Sequence, residues 1–389
     1  MSHQRRVVIV GAGIAGLATA IAMERAGWRV ALLERNERLK GDQASLTLQP
    51  NAVRALRALG LGLVLDAIAL PLDAGRLRRH DGHLLATVPL SETTARLGPQ
   101  PVAVSRQELF EGLVAALGTN VEVHSGVTAT HLDLVESAAG DASRRWPADL
   151  IVGADGIFSS VRGGIDDTSK VESAGSVVFR AVIPSHRVPE LPDQGCHTQG
   201  PNRRRFWYEP LPRGASWTAI VRGGPRPEPA HVRHELLSEW FDGWHDPIPQ
   251  LIAATRPEEV QQERVSYLRP MPGVYTQMND TCGAALVGDA AHAMLPELRQ
   301  GAGLALEDAV TLGACLTDKP LGDGLAEYER QRYERTTRLA KVALRMGTVY
   351  SGRGRFGASI RDNLLRAVPD SVYAKHATAG SDWMPPESH

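Results

Sequence analysis

Cysteine is scarce in this chain of 389 residues: Cys196, Cys282 and Cys315 stand far apart and form no C-x-x-C pair. That spacing excludes a disulfide framework, a zinc ribbon and a redox dithiol. The expectation is reduced thiols in a cytoplasmic protein, with Cys282 and Cys315 as small core residues. Net charge is also nearly absent, at −1, so no general attraction to nucleic acid or an anionic membrane is expected. Once the glycines near the N-terminus are set aside, no apolar run reaches the ~20 residues a membrane span needs. The histidines show no paired ligand spacing, so no metal is implied. No G-x-S-x-G elbow marks a serine hydrolase. Internal repeats and disordered tracts are missing as well, and a hydrophobic content of 43% is that of a globular enzyme with room for two packed domains.

What is present begins with RRVVIVGAGIAGLATAIAMERAGWRVALLER, residues 5–35. Two arginines lead an uncharged stretch from Val7 to Met23, the outline of a secretory signal. The glycines decide otherwise. Gly11, Gly13 and Gly16 spell G-x-G-x-x-G directly after the β-branched run Val7–Val10. Gly11 permits a tight strand-to-helix turn, Gly13 lets backbone approach a pyrophosphate, and Gly16 lets helix pack on sheet. Helix amides at Ala15 and its neighbours then face the phosphates. A second strand ends at Glu34, where a carboxylate can accept both hydroxyls of an adenosine ribose, with Arg35 beside it. This reads as a dinucleotide site, with NAD and FAD both open at this point.

Further along, NAVRALRALG has helical spacing, GRLRRHDGHLLATVPL reads as a hairpin around Asp81-Gly82, and Ser105 with Glu108 reads as a helix cap. From residue 177 to 271 Pro and Arg increase, Trp and Tyr cluster, and alternating runs suggest antiparallel strands. GAALVGDAAHAML then restores the nucleotide-domain texture, and the Arg-rich tail is helical. The expected fold is α/β: a Rossmann-like domain from residues 1–71, 97–176 and 272–323, an inserted, mainly antiparallel β substrate domain from 72–96 and 177–271, and C-terminal helices in 324–389. A second G-x-G-x-x-G, GRGRFG at 352–357, follows no strand and reads as a loop between helices.

Three segments together resemble the class A flavoprotein monooxygenases, the para-hydroxybenzoate hydroxylase-like family. They are the glycine turn with Glu34; DLIVGADGIFSSVR, with Asp155, Gly156, Ser159 and Arg162; and GDAAHAMLPELRQGAGLALEDA, with Gly288, Asp289, Pro296, Gly301 and the Glu307-Asp308 pair. The resemblance implies that the dinucleotide is FAD, and that NADH or NADPH and O2 are co-substrates. It implies a flavin C4a-hydroperoxide that hydroxylates a small aromatic or polyketide-like substrate. Arg106 matches an arginine that contacts FAD in relatives. Asp289 can accept a ribityl hydroxyl, while Gly301, Ala302 and Gly303 open a helix whose amides can face the flavin pyrimidine edge and favour its reduced, anionic form. His292 reads as structural rather than as a base. A flavin epoxidase, an FAD-dependent dehydrogenase or reductase and a flavin-binding module remain alternatives; a halogenase is disfavoured because W-x-W-x-I-P is absent.

Candidate substrate residues are Phe179, Arg180, Phe206, Tyr208, Pro296 and Arg299, with Trp217 in addition. Strand geometry puts Phe206 and Tyr208 on one face and Trp207 on the other. Their rival reading is ordinary sheet packing, and Arg203–Arg205 read more safely as a solvated strand end than as an anion site. The chain also departs from the family. Gln43-Ala44-Ser45-Leu46 replaces a glycine-rich segment, and Arg299 stands where a loop glycine is usual. Arg299 either turns to solvent or Glu297, or points into the cavity toward an acidic substrate or the reduced flavin. The accompanying departure at Glu297 favours the cavity.

Overall fold

The computed structural model describes residues 4–350 and 378–387; the GRGRFG stretch lies outside them. The β-branched run forms the strand Arg6–Val10, flanked on both sides by parallel strands, Arg29–Glu34 and Leu150–Gly153. A strand hydrogen-bonded on both edges and covered on both faces needs apolar residues at every position, which is why no alternation shows there. The sheet continues outward to Val121–Ser125 on one side. On the other it continues to Gly283–Leu286 and the antiparallel Thr276–Met278. The helix Ile14–Arg25 crosses over this sheet and stops before Gly27, whose φ of +84° few other residues adopt.

A second sheet has seven strands, in the order 261–268, 171–184, 214–222, 205–211, 196–199, 74–79 and 84–89. All its pairings are antiparallel except that of Cys196–Gln199 with Ala74–Arg79. The hairpin expected around Asp81-Gly82 thus leaves the first half of the chain to complete this sheet. One face is apolar. Phe179, Phe206, Tyr208 and Trp217 are buried on it beneath Leu237 and Phe241 around the Ala230–Trp240 helix and Leu251 of the Ile248–Ala253 helix. Each fully buried side chain of this size contributes ~1.5–3 kcal/mol. The opposite face turns toward the first sheet, and a small sheet of Ser45–Leu48, Val102–Ser105 and Ala69–Pro71 lies between. Ser105 caps the helix Arg106–Ala115 by accepting from the Glu108 N–H.

The helices Gly301–Leu316 and Leu321–Tyr350 pack on each other, burying Leu304, Leu339 and Ala343; the first also packs on the helix Ile14–Arg25 and the second meets the strands 276–278 and 283–286. Among the described residues no helix is long and apolar enough to cross a membrane. All three cysteines are free and buried, and desolvation pushes each thiol up to about 11.

Candidate active site

The three glycines of the first turn have different reasons to be glycine. At Gly11, with φ +99°, a Cβ would lie 2.5 Å from the Ala154 carbonyl oxygen, and at Gly16 it would lie 1.8 Å from that of Gly11. These two are required by the packing of strand, turn and helix. At Gly13 a Cβ would meet no protein atom within 4 Å. Gly13 borders a cleft of about 430 Å³ that continues past Ala15, Ala154 and Gly156 to Asp289, Gly301 and Ala302. At Gly156 and Gly301, too, an added Cβ would meet nothing. Gly156 also has φ +76°, which favours glycine by itself, whereas neither backbone nor packing requires glycine at 13 and 301; all three keep one channel clear.

Other expected cofactor residues stand behind this channel. Gly288, at φ +60°, would push a Cβ to 2.9 Å from that of Ala15, and a Cβ on Gly303 would crowd Gln300 and Asn51. Glu34 accepts from the Ala12 N–H at 2.9 Å and the Asn36 N–H at 3.0 Å, which holds its carboxylate against the glycine turn. Arg35 is exposed beyond it. Ser159 caps the helix Ser160–Ile165 by accepting from the Arg162 N–H at 2.9 Å, and Asp155 accepts from the Ser160 N–H and hydroxyl, at 2.7 and 3.0 Å. Arg162 is buried and donates to the carbonyls of Ala290, at 3.0 Å, and Ile157, at 2.7 Å. It ties the second and third motifs together, and burial lowers its pKa. Arg106 does line the cleft, paired with Asp42 at 3.0 Å. Asp289 lines it as well and opens the short helix Asp289–His292, three residues after the strand Gly283–Leu286.

The far wall of the cleft corrects the choice of aromatic face. Arg180, Pro296 and Arg299 line it, together with Trp207 and Glu209. Phe179, Phe206, Tyr208 and Trp217 do not; Phe206 stacks on Trp217 at 5.4 Å inside the apolar core. Phe206 and Tyr208 do share one face and Trp207 takes the other, but helices cover the face of Phe206 and Tyr208. The signal that could have chosen the face is Glu209, since a carboxylate two residues from Trp207 marks that side as the polar one.

Glu209 is 3% exposed. It accepts from the hydroxyls of Ser45, at 2.5 Å, and Thr47, at 2.7 Å, and Ser45 accepts from Ser216 at 2.6 Å. Ser45, at one of the family departures, is thus committed to this carboxylate. Arg299 reaches the same group: its Nη1 donates to Thr47 Oγ1 at 3.0 Å and lies 3.6 Å from Glu209 Oε2, and its guanidinium sits 5.6 Å from the centre of the Trp207 ring. Glu297 is engaged elsewhere, by Arg205 at 2.5 and 3.1 Å, so the Arg299–Glu297 pairing does not form. Arg204 donates to the Trp240 carbonyl at 2.8 Å, so Arg203–Arg205 are not simply a solvated strand end. Arg299 has φ +51°, a left-handed backbone that glycine adopts at less cost than arginine.

Behind the cleft lies a buried ionic network that the motif pair Glu307-Asp308 did not reveal. Asp308 accepts from His292 Nε2 at 2.6 Å, the Gly288 N–H at 2.8 Å and Arg332 Nε at 2.7 Å. Burial alone would raise its pKa, but the His292 and Arg332 charges and these hydrogen bonds hold the carboxyl below its usual value. Glu307 accepts from Arg332 at 2.5 Å, from Arg335 at 2.8 Å and from Asn51 at 2.6 Å. His292 is therefore a structural partner beneath the loop and does not line the cleft.

The FAD binding domain family matches residues 4–343. The chain is 30% identical to aurachin C monooxygenase/isomerase of Stigmatella aurantiaca, over 93% of this chain and 94% of that one. It is also 30% identical to 3-amino-4-hydroxybenzoate 2-monooxygenase of Streptomyces cremeus, over 95% and 93%. In structure it resembles Klebsiella pneumoniae HpxO complexed with FAD and uric acid, with a TM-score of 0.86, 25% identity, and coverage of 98% of this chain and 97% of that one. A continuous nucleotide cleft, the three motifs around it and relatives matched along nearly their whole length lead to one conclusion: the chain belongs to the class A FAD-dependent monooxygenases.

Proposed function

We propose that this flavoprotein uses NADH or NADPH and O2 to hydroxylate a small aromatic or polyketide-like substrate held between the FAD cleft and the Trp207–Glu209 wall. The observation that carries the reading is the channel kept clear by Gly13, Gly156 and Gly301, which fits an elongated dinucleotide and opens onto that wall. In this reading Glu34 holds the adenosine ribose, the amides after Gly13 hold the pyrophosphate, and Asp289 takes a ribityl hydroxyl. The N-terminus of the Gly301–Leu316 helix faces the pyrimidine edge of the flavin, where its dipole favours negative charge. Arg106 supports the cofactor from the opposite side. Asp155 and Arg162 act indirectly, by holding the Gly156 and Asp289 loops in register.

When bound, FAD would supply the redox chemistry, taking electrons from NAD(P)H and passing them to O2, of which one oxygen atom would enter the substrate and the other leave as water. The chain's own task is to orient the substrate over the flavin and exclude water, because effective concentration and dryness govern productive transfer. The relatives named for aurachin C and 3-amino-4-hydroxybenzoate, and the structure holding uric acid, support an aromatic or heteroaromatic substrate. The test follows NADH and NADPH consumption against a panel of aromatic metabolites, with ¹⁸O2 traced into product. Incorporation of one labelled atom supports the reading. Turnover without label incorporation would assign a dehydrogenase or reductase instead.

A further inference from the structure

We propose that Glu209 and Arg299 act as a charge-balanced acceptor–donor pair that selects uncharged ring substrates carrying an O–H or N–H donor and discriminates against carboxylates. The proposal rests on the monooxygenase reading and names the substrate class for the same cleft.

The geometry points this way in three steps. First, Arg299 is not a lone cation awaiting an acid: Glu209 Oε2 lies 3.6 Å from its Nη1. Of the other arginines lining the cleft, Arg180 is matched by Glu263 at 2.7 Å and Arg106 by Asp42 at 3.0 Å, while Arg264 is exposed to solvent on the edge strand. Second, the carboxylate is the more deeply placed member, with 4% of its side chain exposed against 35% for Arg299. A substrate seated on the wall therefore meets buried negative charge beneath a partly solvated positive one. Third, Glu209 takes one hydroxyl on each oxygen, from Ser45 and Thr47. An ionised carboxylate offers about four lone-pair sites, so acceptor capacity is left for a donor in the cleft. Trp207, with the Arg299 guanidinium over its ring, adds aromatic surface to the same wall for an aromatic body. A carboxylate ligand placed there would oppose Glu209 in a region of reduced water contact, whereas a phenol or ring N–H would satisfy it.

The test uses the FAD-loaded enzyme and three probes on one ring system, 2-naphthol, 2-naphthoate and 2-naphthylmethylammonium, titrated by the change in flavin absorbance. 2-Naphthol should bind at least about tenfold more tightly than 2-naphthoate. Glu209→Gln should narrow or invert that order by strengthening 2-naphthoate, because Arg299 loses its counter-charge. Arg299→Gln, which keeps the buried carboxylate, should instead strengthen the ammonium probe, and it serves if Glu209→Gln does not fold. Equal or reversed affinities in the unmodified enzyme, or variants that shift all three probes alike, overturn the pair. Failure of the functional reading shows separately, as absent label incorporation across the metabolite panel, and does not depend on the order of these probes.

Discussion

Replacing Arg332 with Met probes the connection between the C-terminal helix and the flavin-side loops. Arg332 is wholly buried and forks between Glu307, at 2.5 Å, and Asp308, at 2.7 Å, both of them also buried. Removing one member of such a cluster typically costs about 3–5 kcal/mol, because it leaves an uncompensated charge in a poorly solvated site. Here Glu307 retains Arg335, at 2.8 Å, and Asp308 retains His292, at 2.6 Å, so we expect the lower end, about 3 kcal/mol. With an unfolding entropy of about 2.1 cal/mol/K per residue, a chain of this length should lose ~4 °C in melting temperature. The same change should reach the cofactor, because Asp308 Oδ2 also holds the Gly288 N–H at 2.8 Å and Gly288 precedes Asp289. Thermal melts, with FAD content measured after denaturation, are the assay. The sign with pH is also determined. The folded pKa of Asp308 is depressed, so its contribution is present above the ordinary carboxylate range and lost as pH falls through the folded value. Removing the Arg332 cation raises that folded value, so acid unfolding of the variant should begin at higher pH. A melting temperature within about 1 °C of the unmodified protein, together with unchanged FAD content, would refute the reasoning.

We predict that Glu34→Ala weakens FAD by roughly 1.5–3 kcal/mol, or roughly 10- to 150-fold in Kd by fluorescence titration; unchanged affinity would place the carboxylate off the ribose. Phe206→Ala should cost about 3–5 kcal/mol in urea unfolding, whereas Trp207→Ala should mainly weaken substrate binding; the reverse pattern would put the substrate on the wrong face of the sheet. His197 is pulled well below its ordinary pKa by burial and by the nearby Arg299 and Arg205 charges. Below about pH 6.5 the unfolded chain takes up this proton and the folded one does not, so stability should fall by up to ~1.4 kcal/mol per pH unit. His197→Gln should flatten that slope between pH 7.5 and 5.5, and an unaltered slope would assign it to other groups.

Local chemistry made much of this protein legible in its sequence. Gly16 is dictated by a contact with Gly11 inside one strand–turn–helix unit, and Gly11 by its positive φ in that turn as well as by the neighbouring Ala154, so their spacing announces the unit wherever it lies in the chain. The Asp81-Gly82 hairpin and the Ser105 cap are equally local. Strand periodicity likewise separated Trp207 from Phe206 and Tyr208, because alternation is a property of the strand itself. Which of those faces meets the cleft was decided by the helices 230–240 and 248–253, and nothing within residues 205–211 encodes where those helices pack. Long-range pairing settled the rest. Glu209 meets Ser45, Thr47 and Arg299 across three distant segments, and Glu307-Asp308 meets Arg332 across two helices. Sequence alone therefore determined the backbone conformations and the nucleotide turn, which depend on neighbours along the chain. Tertiary structure alone decided which buried charges are paired and which wall faces the substrate, because Coulomb interaction and desolvation depend on distances in space that residue spacing does not specify.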